Sequence, residues 1–139
     1  MASLIYNSAI DDIARGAIDF DTDTFKIMLV TSAYTPNKDT HLKRSDITNE
    51  ATGPGYIAGG VILATAVTKN IANDKVVIDF PAVSWNNSSI TARGCIYYKS
   101  RGGASSADEL VAYTDFGFDA SSSLSTLIVN ASTITLQNQ

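Results

Sequence analysis

The sequence predicts a mainly β protein, an antiparallel β-sandwich with one N-terminal α-helix; a closed barrel is the alternative arrangement of the same strands. Three observations carry this. Runs with strand character follow one another from residue 24 to residue 137. The pieces between them (TPNKD, TGPG, NIANDK, WNNSS, SRGGASSAD and GFDASSS) are short and rich in turn-forming residues. No helix-length segment separates the later strands, so the long crossovers that parallel strands need are not available. At 139 residues, with apolar residues in every segment, the chain reads as a single domain over 1–139.

The helix is expected over 3–16. Tyr6, Ile10, Ile13 and Ala17 fall at i, i+4, i+7 and i+11, one face of an amphipathic helix. Ser3 fits the N-cap. Gly16 fits the position that ends a helix in the left-handed conformation. At about ten to thirteen residues such a helix is too short to hold alone and must dock its apolar face.

From Thr24 the period changes to two. Phe25, Ile27 and Leu29 alternate with Thr24, Lys26 and Met28, which predicts a strand with one buried face. Further strands are expected at 61–68, 75–80, 90–99 and 109–116, and as the two runs LSTLIVN and STITLQ over 124–137. Val76, Ile78 and Phe80 share one face of the second of these. The sandwich therefore occupies 24–137, with the helix on an edge or an open end.

Composition narrows the function. Charged residues are 17% of the chain and its net charge is −4, so the electrostatic drive for nucleic-acid binding is absent. The one basic cluster, Lys43-Arg44 beside His41, is followed at once by Asp46 and reads as a solvated loop. No apolar run is long enough to span a bilayer as a helix, and MASLIYNSAIDD lacks a basic leader; synthesis and residence in the cytosol are expected. Cys95 is the only cysteine, which excludes an intrachain disulfide and paired-cysteine metal sites. Lying among strand residues, it reads as a packed thiol.

Several motifs fail on inspection. Asp19, Asp21 and Asp23 open like a calcium loop, but Thr24 stands where glycine is needed and Val30 where a bidentate glutamate is needed. GPGYIA matches G-x-G-x-x-A, yet Pro54 sits inside it and strand-like residues follow it, against the dinucleotide-binding context. The sequons at Asn86, Asn87 and Asn130 lack a secretory signal. His41 is the only candidate base for acyl transfer, and its charged neighbours read as an exposed loop. Asp79 alternates outward, and Asp108 and Glu109 flank a loop. Trp85 reads as a core or rim anchor with its N–H satisfied. No catalytic, cofactor or metal residue is assigned.

Four stretches, in this order, resemble a family of small virion proteins of tailed bacteriophages, encoded among head and tail structural genes. They are LIYNSAIDDIARGAIDFDTDTFKIMLVTSAYTPNKDTH, SDITNEATGPGYIAGG, VSWNNSSITARGCIYYKS and LVAYTDFG. The shared pattern is a helix, then DTDT-x-K-x-x-L-V-T-S-x-Y-x-P, then G-x-G-Y-x-x-G-G, then W-x-x-x-x-x-x-A-R-G. It covers the first two-thirds of the chain best. Some members resemble capsid cement or decoration proteins, which sit on the outside of the head. The resemblance implies a virion location, the major capsid protein and other copies of the chain as partners (trimers, by analogy), and a non-enzymatic role without cofactor, nucleic acid or membrane. Within that frame the hook SAYTPNKDTH is an expected interface loop. Tyr34 offers a large contact with a polar tip, Pro36 stiffens the turn, and His41 completes it. Tyr56 in the glycine-rich stretch is a second candidate. Tyr34 and Tyr56 have an equal claim to a packing role over the end of the sandwich. Two rival functions remain: a tail, neck or receptor-binding component that contacts host carbohydrate through Trp85 or the glycine loop, and a small hydrolase using His41 or an Asp pair.

Overall fold

The computed structural model describes residues 3–138. The chain forms β1 (Leu4–Ile5), α1 (Asn7–Ala14), β2 (Phe25–Val30), β3 (Val61–Leu63), β4 (Ala66–Asn70), β5 (Lys75–Phe80), β6 (Val83–Ser88), β7 (Thr91–Lys99), β8 (Leu110–Ser121), β9 (Ser125–Val129) and β10 (Ser132–Gln137). All strand pairs are antiparallel. One layer is a five-stranded sheet in the order β1-β8-β7-β2-β3. The facing layer holds the sheet β10-β5-β4 and the pair β6-β9. The sheets keep free edges, so the fold is an open, sandwich-like one and the barrel alternative is excluded.

The second layer is one long ribbon bent at a corner. Phe80 pairs with Ser132, and Val83 pairs with Val129. Between them the ladder stops at Pro81-Ala82 on one side and Asn130-Ala131 on the other; Pro81 has no N–H to give it. Inward residues change parity at the corner on both strands in step, from Ile78 and Phe80 to Trp85, and from Leu127 and Val129 to Ile134. The ribbon thus turns and keeps its apolar face on the same core.

The first layer is covered on both sides. Phe25, Ile27 and Leu29 of β2 join Cys95, Tyr97, Phe80 and Trp85 in the core between the layers. Met28 and Val30 point the other way, into a second cluster with Tyr6, Tyr34, Ile96 and Tyr98. The expected one-faced strand is therefore a central strand with two buried faces. Met28 betrays this, an apolar residue at a position expected to face solvent.

Further expectations are corrected. The helix is shorter than 3–16, because Leu4 and Ile5 pair with Tyr113 and Ala112 of β8 and hold the chain extended. Ser3 does not cap it; its Oγ accepts the N–H of Asp115 (2.9 Å). The docked face runs through Tyr6 and Ala9, both buried, while Ile10 is exposed. Gly16 does end the helix region at φ +79°. The strand expected at 61–68 is two strands in different sheets. WNNSS, read as a turn, lies mostly in β6, which shifts register between Trp85 and Ser88 with Asn87 at φ +49°. β8 runs on to Ser121 through a wide bulge: from Gly94↔Asp115 to Ala92↔Ala120, β7 advances two residues and β8 five.

Candidate functional site

The hook begins where β2 ends. Thr31 donates to the Asn49 carbonyl (2.9 Å), and Tyr34 N–H returns to the Thr31 carbonyl (3.1 Å). This turns Tyr34 inward, where burial raises its hydroxyl to about 12. Its hydroxyl lies 2.8 Å from the Tyr6 hydroxyl and 2.8 Å from His41 Nδ1. The Asn37 N–H also donates to that nitrogen (3.3 Å). Nδ1 is thus an acceptor, so Tyr34 donates to His41 and accepts from Tyr6. The tip is closed by Asn37, whose Oδ1 accepts the N–H groups of Asp39 and Thr40. It is held to the helix by Asn7, which donates to the Lys38 carbonyl (3.0 Å) and, through Nδ2, to Asp39.

The Lys43-Arg44 cluster is not a solvated loop. Arg44 Nε donates to Asp108 (2.8 Å), which is only 1% exposed, and the guanidinium lies 5.2 Å over the Tyr98 ring. Arg101 binds Glu109, 3% exposed, through Nε (2.7 Å), and Lys43 Nζ stands 3.8 Å from the same carboxylate. Asp108 also accepts the Arg101 N–H (2.8 Å). The Lys43–Asp46 turn that follows the hook and the 100–109 loop are therefore fastened together by opposite charges. Each loop carries a charge pair in the sequence, but nothing local shows that residues 64 apart meet.

The glycine loop joins the same face. Tyr98 hydroxyl donates to the Gly59 carbonyl (2.6 Å), so Tyr98 carries Arg44 on its ring and the glycine loop on its tip. Tyr56 hydroxyl donates to Glu50 (2.5 Å) and accepts the Leu29 N–H (3.0 Å). Glu50 also takes the Gly59 N–H (2.6 Å).

Among the four candidate interface residues, Tyr34 and Pro36 are buried within the chain and His41 and Tyr56 are half-buried. The structure brings Tyr34 and His41 into contact and places Tyr56 on a separate hydrogen-bond network. Trp85, 4% exposed, packs 6.1 Å from the Tyr56 ring, leaving no open ring face for a sugar; its buried N–H has no partner among the described residues, against the expectation of a satisfied one. Cys95 is buried, and burial pushes its thiol up to about 12, as a packed thiol requires. The Asp19–Asp23 turn spends its carboxylates locally: Asp19 accepts the Asp21 N–H, and Asp23 accepts the Asp19 N–H and pairs with Lys99 (2.9 Å). No group of three or more potential metal ligands exists among the described residues.

No protein-family model, curated protein or solved structure matches this chain. What the site can do is read from its own geometry. It is a set of fastened loops over a buried sheet face.

The carboxylates give this fastening an acid limit. The N–H groups of Leu42 and Lys43 hold Asp46 low. The N–H of Gly117 and the guanidinium of Arg93 hold Asp115 near about 2. Burial works to raise Asp23 and Glu109, but hydrogen bonds and the cations Lys99 and Arg101 outweigh it and leave both lowered. Asp12 alone among the shifted acids is raised, by burial. A lowered folded-state value favours the fold above the unfolded pKa near 4 and loses that contribution as pH falls through the folded value. The midpoint of urea unfolding is expected to hold between pH 7 and about 5 and to fall steadily towards pH 2. A midpoint independent of pH over that lower range contradicts these assignments.

Proposed function

We propose that this chain is a structural protein of a tailed-phage particle, a capsid decoration protein that binds the outer head shell and bridges neighbouring capsid subunits. The observation that carries this reading is where the residues of the phage-like pattern sit. Asp23 fixes the helix-to-strand turn through Lys99. Tyr34 anchors the hook. Tyr56 ties the glycine loop to β2. Arg93 binds Asp115 at the base of the β8 bulge (3.0 Å). Each supports shape, which is what a clamp between subunits needs, because a loop already ordered loses little entropy on binding.

In this reading Tyr34, Pro36, His41 and Tyr56 are supports, and the contact is made by what they hold out. That is the hook tip, Asn37–Thr40 with Leu42, and Ile57 of the glycine loop, all exposed. An outward-facing shell protein needs no basic surface, in keeping with the net charge of −4.

Electron cryomicroscopy of particles from the phage that encodes the chain tests this. Density matching the sandwich at symmetric positions over the whole head exterior is the expected result. Its absence from purified particles, or its confinement to the tail, overturns the proposal.

A further inference from the structure

The sheet edges of this fold are not alike. β1 and β3 are edges of two and three residues, and β4 carries Lys69; short length and charge both discourage pairing with another chain. The β9–β10 edge has neither protection. β10 is six residues, STITLQ, paired among the described residues on one side only, with β5. No Asp, Glu, Lys, Arg, Pro or Gly occurs from Ala120 to the last residue. The edge also borders a groove of about 360 Å³, formed with β1 and β8 and lined by Phe80 and Tyr97 together with hydroxyl side chains; a second of about 270 Å³ lies between β8 and the β9–β10 turn. Ile128 is 60% exposed on that second groove, and Leu136, on the core-facing side of β10, is 48% exposed.

We infer that the β10 edge pairs antiparallel with the same strand of a second copy of this chain, joining two three-stranded sheets into one of six. Charge selects that occupant. A charged edge meets its own charge in a symmetric pair, and like charges directly opposite are destabilising; this edge brings none. A two-fold axis normal to the sheet keeps core-facing side chains on one face, so the pairing centres on a residue opposite itself. With Thr135 at the centre, Ile134 of each copy stands opposite Leu136 of the other. The exposed Leu136 is then covered by a residue already in the core. This contact is independent of the shell contact proposed above and forms in the purified chain.

Sedimentation analysis of the purified full chain tests it, with the double variant Thr133→Lys/Thr135→Lys. Both threonines are exposed. Thr133 faces Asp79 of β5, so a lysine there finds a partner within its own chain and the fold is kept, as circular dichroism should confirm. The unaltered chain is expected to sediment at twice 14.8 kDa at micromolar concentration. In the variant lysine opposes lysine across the pair, and the dimer dissociation constant is expected to rise at least a hundredfold. An unaltered chain that stays monomeric, which would leave the edge to a different protein or to solvent, overturns the inference. So does a folded variant that dimerises as before. Either failure leaves head decoration untouched, since that is read on intact particles.

Discussion

Gly60→Ala is expected to destabilise the fold severely. A Cβ at this position would lie 1.7 Å from the Ile27 carbonyl oxygen and 2.8 Å from Met28 Cα, atoms of the central strand β2 that cannot step aside. The backbone also sits at φ +77°, which costs a non-glycine residue on the order of 1 kcal/mol or more. Together the strain and the collision should exceed about 4 kcal/mol, a large part of the roughly 5–15 kcal/mol that holds a domain of this kind together. Gly102→Ala separates the two causes. Gly102 has nearly the same φ, +79°, but a methyl group there would meet no atom within 4 Å, so its loss should be about 1 kcal/mol. Urea unfolding of both variants provides the comparison. Equal losses would mean that the glycine loop does not press on β2 as described.

Arg44→Ala is the second large effect. The substitution leaves one oxygen of a buried carboxylate, Asp108 Oδ2, without its 2.8 Å partner and uncovers the Tyr98 ring. Removing one member of a buried pair costs about 3–5 kcal/mol. The Arg44 side chain retains 23% exposure, so water can reach the gap, and a loss of about 2–3 kcal/mol is expected. Asp108→Asn removes the charge and keeps an oxygen for the Arg101 N–H. The double variant should therefore be more stable than the sum of the two single losses, by about 1 kcal/mol or more. Strict additivity in a denaturant-based cycle would show that the two side chains do not act as a pair.

The fold class was legible because strand periodicity survives wherever one face of a strand is buried. It failed where that condition failed. β2 carries apolar residues at Met28 and Val30 as well as on its core side and is buried on both faces. β6 hides behind Asn86-Asn87, which look like a turn and instead make an irregularity within a strand. The strand expected at 61–68 breaks at Ala64-Thr65, where no strong turn residue stands; Thr65 Oγ1 instead donates to the Phe20 carbonyl (2.8 Å), a tertiary contact that no local pattern announces. In the candidate site the hook itself was legible as a polar excursion after a strand. Its fastening was not, because Asp108 and Glu109 look like ordinary loop acids until the fold sets them under Arg44 and Arg101.

The pairing of Leu4 with Tyr113 and of Phe25 with Lys99 sets the order in which a nascent chain can close. When β2 leaves the ribosome, the strand that covers its long edge has not been synthesised, and neither has the acid that receives Arg44. That edge stays unpaired until translation has passed residue 99, and Leu4 has no strand partner until it has passed residue 113. Only then can the N-terminal segment and the hook be sealed, in a step that follows most of synthesis.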